Sequence, residues 1–494
     1  MGIIVRQSFR NAIISYVGVA IGFANTIWLF PRILEPEQYG ITRILVAVAM
    51  IAAQFSQLGT NNATTRFFPR FRTNDKRHRG FLSLLGLVSL TGFTITTALF
   101  LLFRVQITGL YAESNNLFGD HYLLLIPLLG AILFFNALDF FSRSLLDSTA
   151  AAFLREVALR LFGSAALAIY FFGYTDFEGF MLLFVGGYVA HTLIMTVILA
   201  IKDQLRFNSD FLKLDKAMFR EMASYCTYAV MGGLAGLTIN NIDVLMLGSL
   251  SGLADTAVYT VAFYLANVIS IPARSVSRIA YAAVAESLNS GDLANVKTIY
   301  KKSSISQFVS SGLLFVLIIA NFDTAMLFLP ERYQGVSLVV LFVGLGKLFD
   351  MVTGVNGGII VASKYYRFDM YATLSLIGIS ALTNLLLIPR YGLEGAALAT
   401  MISLVLYNSG KMLFIGKVFR MTPFTWATPK AAAILLISGG LAYAIPTAPY
   451  WLADAAMRTA VVGLTGLLPV WWLNLSPEIN GLIKKMVRRG NASP

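Results

Sequence analysis

The chain has 494 residues, of which 57% are hydrophobic and only 13% charged. Soluble domains carry about a quarter charged residues, so an ordinary water-soluble protein is excluded. One cysteine (Cys226) excludes an internal disulfide, three scattered histidines (His78, His121, His191) leave little for a metal cluster, and the net charge of +13 is better explained by membrane topology than by nucleic acid.

An apolar run of about 20 residues spans the hydrocarbon core, where a helix satisfies its own backbone. Counting such runs predicts an all-α integral membrane protein of about fourteen helices. In chain order they cover 12–31, 41–59, 81–103, 121–142, 153–172, 178–201, 222–249, 256–284, 304–329, 335–362, 370–388, 393–418, 430–447 and 455–474. The first run lacks a small-residue cleavage site behind it and reads as a retained helix rather than a signal peptide. The eighth is interrupted by Arg274 and Arg278, and Pro272 is expected to kink it.

Placing the N-terminus in the cytoplasm leaves about 26 Lys and Arg in segments on that side and about five outside. The densest cluster is Arg66, Arg70, Arg72, Lys76, Arg77 and Arg79; the tail adds Lys484, Lys485, Arg488 and Arg489. Both termini are therefore expected in the cytoplasm. Residues 202–221 interleave Phe211, Leu212, Leu214, Met218 and Phe219 with Lys213, Asp215, Lys216 and Arg220. That pattern predicts an amphipathic linker on the cytoplasmic interface. It separates a six-helix lobe (1–201) from a second (222–418), and 419–494 adds two further helices and a basic tail.

The two lobes resemble each other. Gly163-Ser164-Ala165-Ala166-Leu167 and then Phe177-Glu178-Gly179 reappear, offset by roughly 215 residues, as Gly378-Ile379-Ser380-Ala381-Leu382 and then Leu393-Glu394-Gly395. Gly130 and Gly346 share the spacing. Duplicated halves of this kind suggest a transporter that rocks one half against the other.

Charges within membrane helices are costly and normally face a partner or a wet cavity. Seven basic residues remain after the loops are assigned: Arg43, Arg143, Arg160, Arg274, Arg278, Lys347 and Lys411. The acids are chiefly Asp139, Asp243 and Asp350. An excess of cations suits an anionic substrate, and arginine binds two phosphate oxygens at once. Asp139 with Arg143 and Lys347 with Asp350 share helix faces and can simply neutralise each other. Arg160, near a helix end, suits snorkelling; for Arg43 snorkelling and a cavity role stand level. Arg274 and Arg278 have no acid nearby in sequence. Asp243, following Asn240 and Asn241, either takes up a proton or sodium ion or pairs with an arginine of the other half. His191 reads as a packing residue and Asn25 as helix–helix glue. Phosphate-cradling, nucleophile-elbow and His-Glu-x-x-His motifs are missing, so the expectation is a non-enzyme without cofactor or metal.

Asn11-Ala12-Ile13-Ile14-Ser15-Tyr16-Val17-Gly18, the turn Leu34-Glu35-Pro36-Glu37-Gln38-Tyr39-Gly40 and Leu393-Glu394-Gly395-Ala396-Ala397 resemble bacterial polysaccharide flippases. These are the Wzx-type O-antigen and capsule transporters of the multidrug/oligosaccharidyl-lipid/polysaccharide exporter superfamily. The resemblance implies a two-lobed bundle in the bacterial inner membrane that carries undecaprenyl-pyrophosphate-linked oligosaccharide to the periplasmic leaflet by alternating access. It implies ion-gradient coupling, with Asp243 or Asp350 as candidates, and a cationic cavity matched in type by Arg43, Arg274, Arg278, Lys347 and Lys411. Implied partners are the lipid-linked substrate, membrane lipids, and polysaccharide polymerase with other assembly proteins, with no nucleic acid. A cation-coupled multidrug antiporter and a peptidoglycan lipid-precursor flippase remain as alternatives.

Overall fold

The computed structural model describes residues 2–111, 116–213, 215–476 and 480, without the side chains of 228–240 and several others inside helices. The Asn240 side chain and the basic residues of the tail (Lys484, Lys485, Arg488, Arg489) lie outside the described residues. Among the described residues the chain is helical with no strand. It divides into two compact units, Met1–Thr260 and Val261–Pro494.

Among the described residues, nine helices are long and apolar enough to cross a membrane, or up to ten when the bent pair Leu253–Asn267 and Ser270–Asn289 counts as one. The expected number was about fourteen, and part of the difference is the merger of two expected spans into one helix. The expected spans 370–388 and 393–418 lie within one 54-residue helix, Tyr366–Phe419. It is broken only where Gly392 adopts φ 53°, ψ −131°, a conformation that glycine supplies without steric cost. Residues 216–250 form a single 35-residue helix, which begins inside the 202–221 segment behind an Asp215 cap. The bent pair meets at 53°, just ahead of Pro272.

In the first unit, the turn that carried the family resemblance has a structural cause at each position. Pro36 occupies the first helical turn, where a missing N–H costs nothing. Glu35 and Gln38 form a reciprocal capping box for the Pro36–Ser56 helix. Tyr39 is fully buried, and Gly40 lies so close to the Leu253 carbonyl that an added Cβ would sit 1.9 Å from its oxygen. The core here is aromatic: Phe68 meets Phe81 and Phe141 edge-on at 5.5 Å.

The second unit has an aliphatic core that includes Val284, Val296, Ile359, Ile360 and Ile415. Its long helix folds back at Gly392, with Thr373 against Tyr407 and Thr383 against Ser403. The repeat glycines serve different contacts. Gly346 faces the Met401 backbone and Gly130 the ring of Phe93, whereas Gly378 faces open space.

Candidate functional site

The first unit holds a buried carboxylate shared by two arginines. Asp139 is fully buried; Arg143 donates to it through Nε (2.7 Å) and Nη2 (2.9 Å), and Arg155 donates from a neighbouring helix. Arg155 also donates to Asn136 Oδ1 at 3.2 Å. The π-helical turn Leu154–Ala158 carries Arg155 to this position. One carboxylate against two guanidinium groups leaves a net positive charge beside a cavity of about 440 Å³. Arg155, Asn136, Asn61, Gln54, Tyr188 and His191 line it.

The i, i+4 rule anticipated the Asp139–Arg143 pair. It missed Arg155, because that contact crosses between helices and leaves no spacing signal in the chain. His191 has the expected packing character: it is 3% exposed, its Nδ1–H donates to the Tyr188 carbonyl, and its ring lies 4.0 Å from that of Phe135.

Arg43 is held by aromatic rings. Its Nη2 donates to Tyr39 Oη at 2.9 Å, and its guanidinium lies 4.7 Å from the Tyr39 ring and 5.7 Å from Phe30. Arg160 pairs with Glu156 at 2.8 Å rather than standing alone. Asn25 bridges helices, donating to the Arg160 carbonyl and accepting from Ser164 Oγ at 2.7 Å. Asp243, 6% exposed, accepts from Tyr259 Oη at 3.1 Å.

In the second unit the expected cations separate into two groups. Lys411 is 4% exposed; its Nζ lies 2.6 Å from Asp369 Oδ1 and 4.1 Å from the Tyr407 ring centre. Sequence reasoning passed over Asp369 because it is 42 positions from Lys411 in the chain. Asp350 accepts a hydrogen bond from Asn408 and lies within electrostatic reach of Lys347 and Lys411. Lys347 rests against Phe263, 5.5 Å from the ring centre. Together these residues form an interior network of alternating charge.

Arg274 and Arg278 behave differently. Both are exposed, one turn apart on the Ser270–Asn289 helix, and neither has an ion-pair partner among the described residues. Among the described residues, no group of three or more His, Cys, Asp or Glu is placed to hold a metal ion.

Bundled apolar helices with polar, charge-paired interiors in both units define a multi-pass membrane protein. Solved structures share the fold. The Lipid II flippase MurJ, in an inward closed conformation, superposes with a TM-score of 0.74 at 13% identity, covering 94% of this chain and 99% of that one. An inward-facing multidrug resistance MATE family transporter of the MOP superfamily gives 0.62 at 14% identity, covering 84% and 98%. These neighbours are a flippase and a transporter, not enzymes. An uncharacterized membrane protein of Methanocaldococcus jannaschii is 23% identical over 392 residues, 74% of each chain. Residues 5–284 match the model of the polysaccharide biosynthesis protein family, and the chain belongs to that family.

Proposed function

We propose that this protein moves an undecaprenyl-pyrophosphate-linked oligosaccharide across the bacterial inner membrane by alternating access, driven by an ion gradient and with both termini cytoplasmic. Membership of the polysaccharide biosynthesis family supports the cargo class. The observation that carries the reading is the Arg274–Arg278 pair. An unpaired guanidinium in a membrane helix costs several kcal/mol unless it meets water or an anion. Two of them one turn apart offer paired donor forks, which suit the adjacent phosphates of a pyrophosphate.

Lys347 adds a third cation in this reading. Arg43, held by Tyr39, supplies positive potential from a fixed position, and Lys411 is the proposed cargo contact that Asp369 holds in place. Asp350 and Asp243 are the proposed coupling carboxylates. The amides of Asn136, Asn61 and Gln54 beside Arg155 offer donors and acceptors that suit sugar hydroxyls.

The test uses purified protein in lipid vesicles with a fluorescent undecaprenyl-pyrophosphate oligosaccharide, scored by access of an external sugar-oxidising reagent. Wild-type protein exposes the cargo, and Arg274→Ala/Arg278→Ala protein does not. Equal rates in the two would remove these arginines from the mechanism. Faster movement of a peptidoglycan precursor than of any oligosaccharide lipid would reassign the cargo.

A further inference from the structure

We propose that the first unit carries a dedicated groove for the polyprenyl tail of an anionic lipid, running along the Phe81–Leu102 helix. This inference rests on the cargo reading above. Two cavities of about 490 and 710 Å³ open beside that helix, and Leu58 lines both. The first takes Phe81, Leu84, Leu85 and Val88; the second continues with Gly92, Ile95, Leu99 and Phe103. These positions recur every three or four residues, so they form one stripe down a single helix face.

The stripe follows 22 residues of helix, about 33 Å at 1.5 Å per residue, which matches the full hydrocarbon thickness of about 30 Å. An ordinary acyl chain reaches only the bilayer midplane, whereas a polyprenyl chain is long enough to occupy both cavities. The waist between them is built in. Leu58 is non-glycine with φ 48°, in the break between the Pro36–Ser56 and Thr60–Phe71 helices, and its side chain is 44% exposed. Just beyond it Gly92 touches Ser56, where an added Cβ would lie 1.8 Å from the carbonyl oxygen.

Charge complements the shape of the first cavity. Arg66 and Arg70 lie about one and two turns beyond Ala63 and Thr64 of the first cavity, and both lean on Glu221, at 3.7 and 3.0 Å. Glu221 immediately precedes Met222 of the cavity wall, and Arg66 also stacks on Tyr225, 4.6 Å from the ring centre. Two guanidinium groups sharing one carboxylate leave a net positive charge at the mouth of an apolar channel. At the far end, near Ile107 and Leu110, no charged residue is in the lining, and Arg104, between the lining residues Phe103 and Gln106, lies over the Tyr122 ring, 6.0 Å from its centre. A long apolar chain with a single anionic head is the ligand this arrangement fits.

The experiment uses full-length protein in nanodiscs and a diazirine-bearing undecaprenyl pyrophosphate without sugar. Crosslinks are expected on residues 84–103, competed by unlabelled undecaprenyl pyrophosphate but not by farnesyl pyrophosphate or phosphatidylglycerol. Ala223→Trp and Ile95→Trp, at exposed positions of the walls, fill the two cavities and should weaken crosslinking roughly ten-fold, the equivalent of about two buried methylene groups. Arg66→Gln/Arg70→Gln should weaken it while leaving the fold unchanged by thermal melting. Crosslinks spread over other lipid-facing helices, equal competition by phosphatidylglycerol, or no crosslink at all would each overturn the groove. Transport separates the two readings. A wild-type protein that crosslinks in the groove but moves no sugar-bearing lipid refutes the flippase reading alone. One that transports normally in the filled variants refutes the groove alone.

Discussion

Lys411 and Asp369 join the two limbs of one folded helix, with Nζ 2.6 Å from Oδ1 and Gly392 at the bend between them. Lys411 is 4% exposed, so removing its partner strands a charge in a poorly solvated site. Asp369→Asn and Lys411→Met should each destabilise the protein by about 3 kcal/mol. The Asp369→Leu/Lys411→Met double variant should recover most of that loss. Thermal unfolding in detergent checks this, and losses that merely add would show the two residues act independently.

Asp139 predicts an asymmetric response. Asp139→Asn leaves Arg143 and Arg155 facing each other around a neutral amide, and a loss of about 3–5 kcal/mol is expected. Arg155→Gln keeps the Arg143 bridge and should unfold at nearly the wild-type temperature while slowing transport. A melting point as low as that of Asp139→Asn would make Arg155 a purely structural residue.

Equivalent-looking glycines should differ in sign. Gly40→Ala places a methyl against the Leu253 carbonyl, and overpacking of this kind costs roughly 1–3 kcal/mol. Gly378→Ala meets no atom within 4 Å and sits in a helix, so it should stabilise by roughly 0.5–1 kcal/mol. Paired melting curves decide it.

Arg274 and Arg278 form no ion pair among the described residues, so Arg274→Lys/Arg278→Lys should melt within about 2 °C of wild type. Its transport rate should fall between that of wild type and the double alanine variant, because lysine keeps the charge but not the two-pronged geometry. A double lysine variant as fast as wild type would mean that charge alone suffices.

Asp203 lies outside the spans, and its hydrogen bond from Arg206 (2.6 Å) holds its carboxyl below the usual carboxylate range. The folded value is the lower one, so the contribution is present above the unfolded value and is lost as pH falls through the folded one. Carboxyl carbon shifts in labelled protein should show Asp203 still ionised where a free aspartate is half protonated. Arg206→Gln should bring its titration toward the ordinary midpoint.

The Asp139–Arg143 pair was legible in the chain because the two residues lie one helical turn apart. The membrane class was legible for a related reason: burial in lipid requires uninterrupted apolar runs, and composition records them directly. The capped turn at Leu34–Gly40 was also readable, since proline, capping side chains and a close-approach glycine each leave their residue type behind.

Pairing between helices was not. Arg155 reaches Asp139, Asp369 reaches Lys411 and Tyr259 reaches Asp243 only after separate segments are brought side by side. No periodicity encodes that register. Composition by itself determined that this chain lives in a bilayer and carries more cations than acids within it. Tertiary structure alone decided which of those cations are neutralised and which, like Arg274 and Arg278, have no ion-pair partner among the described residues. Coulomb energy falls with distance in space, and sequence separation does not measure that distance.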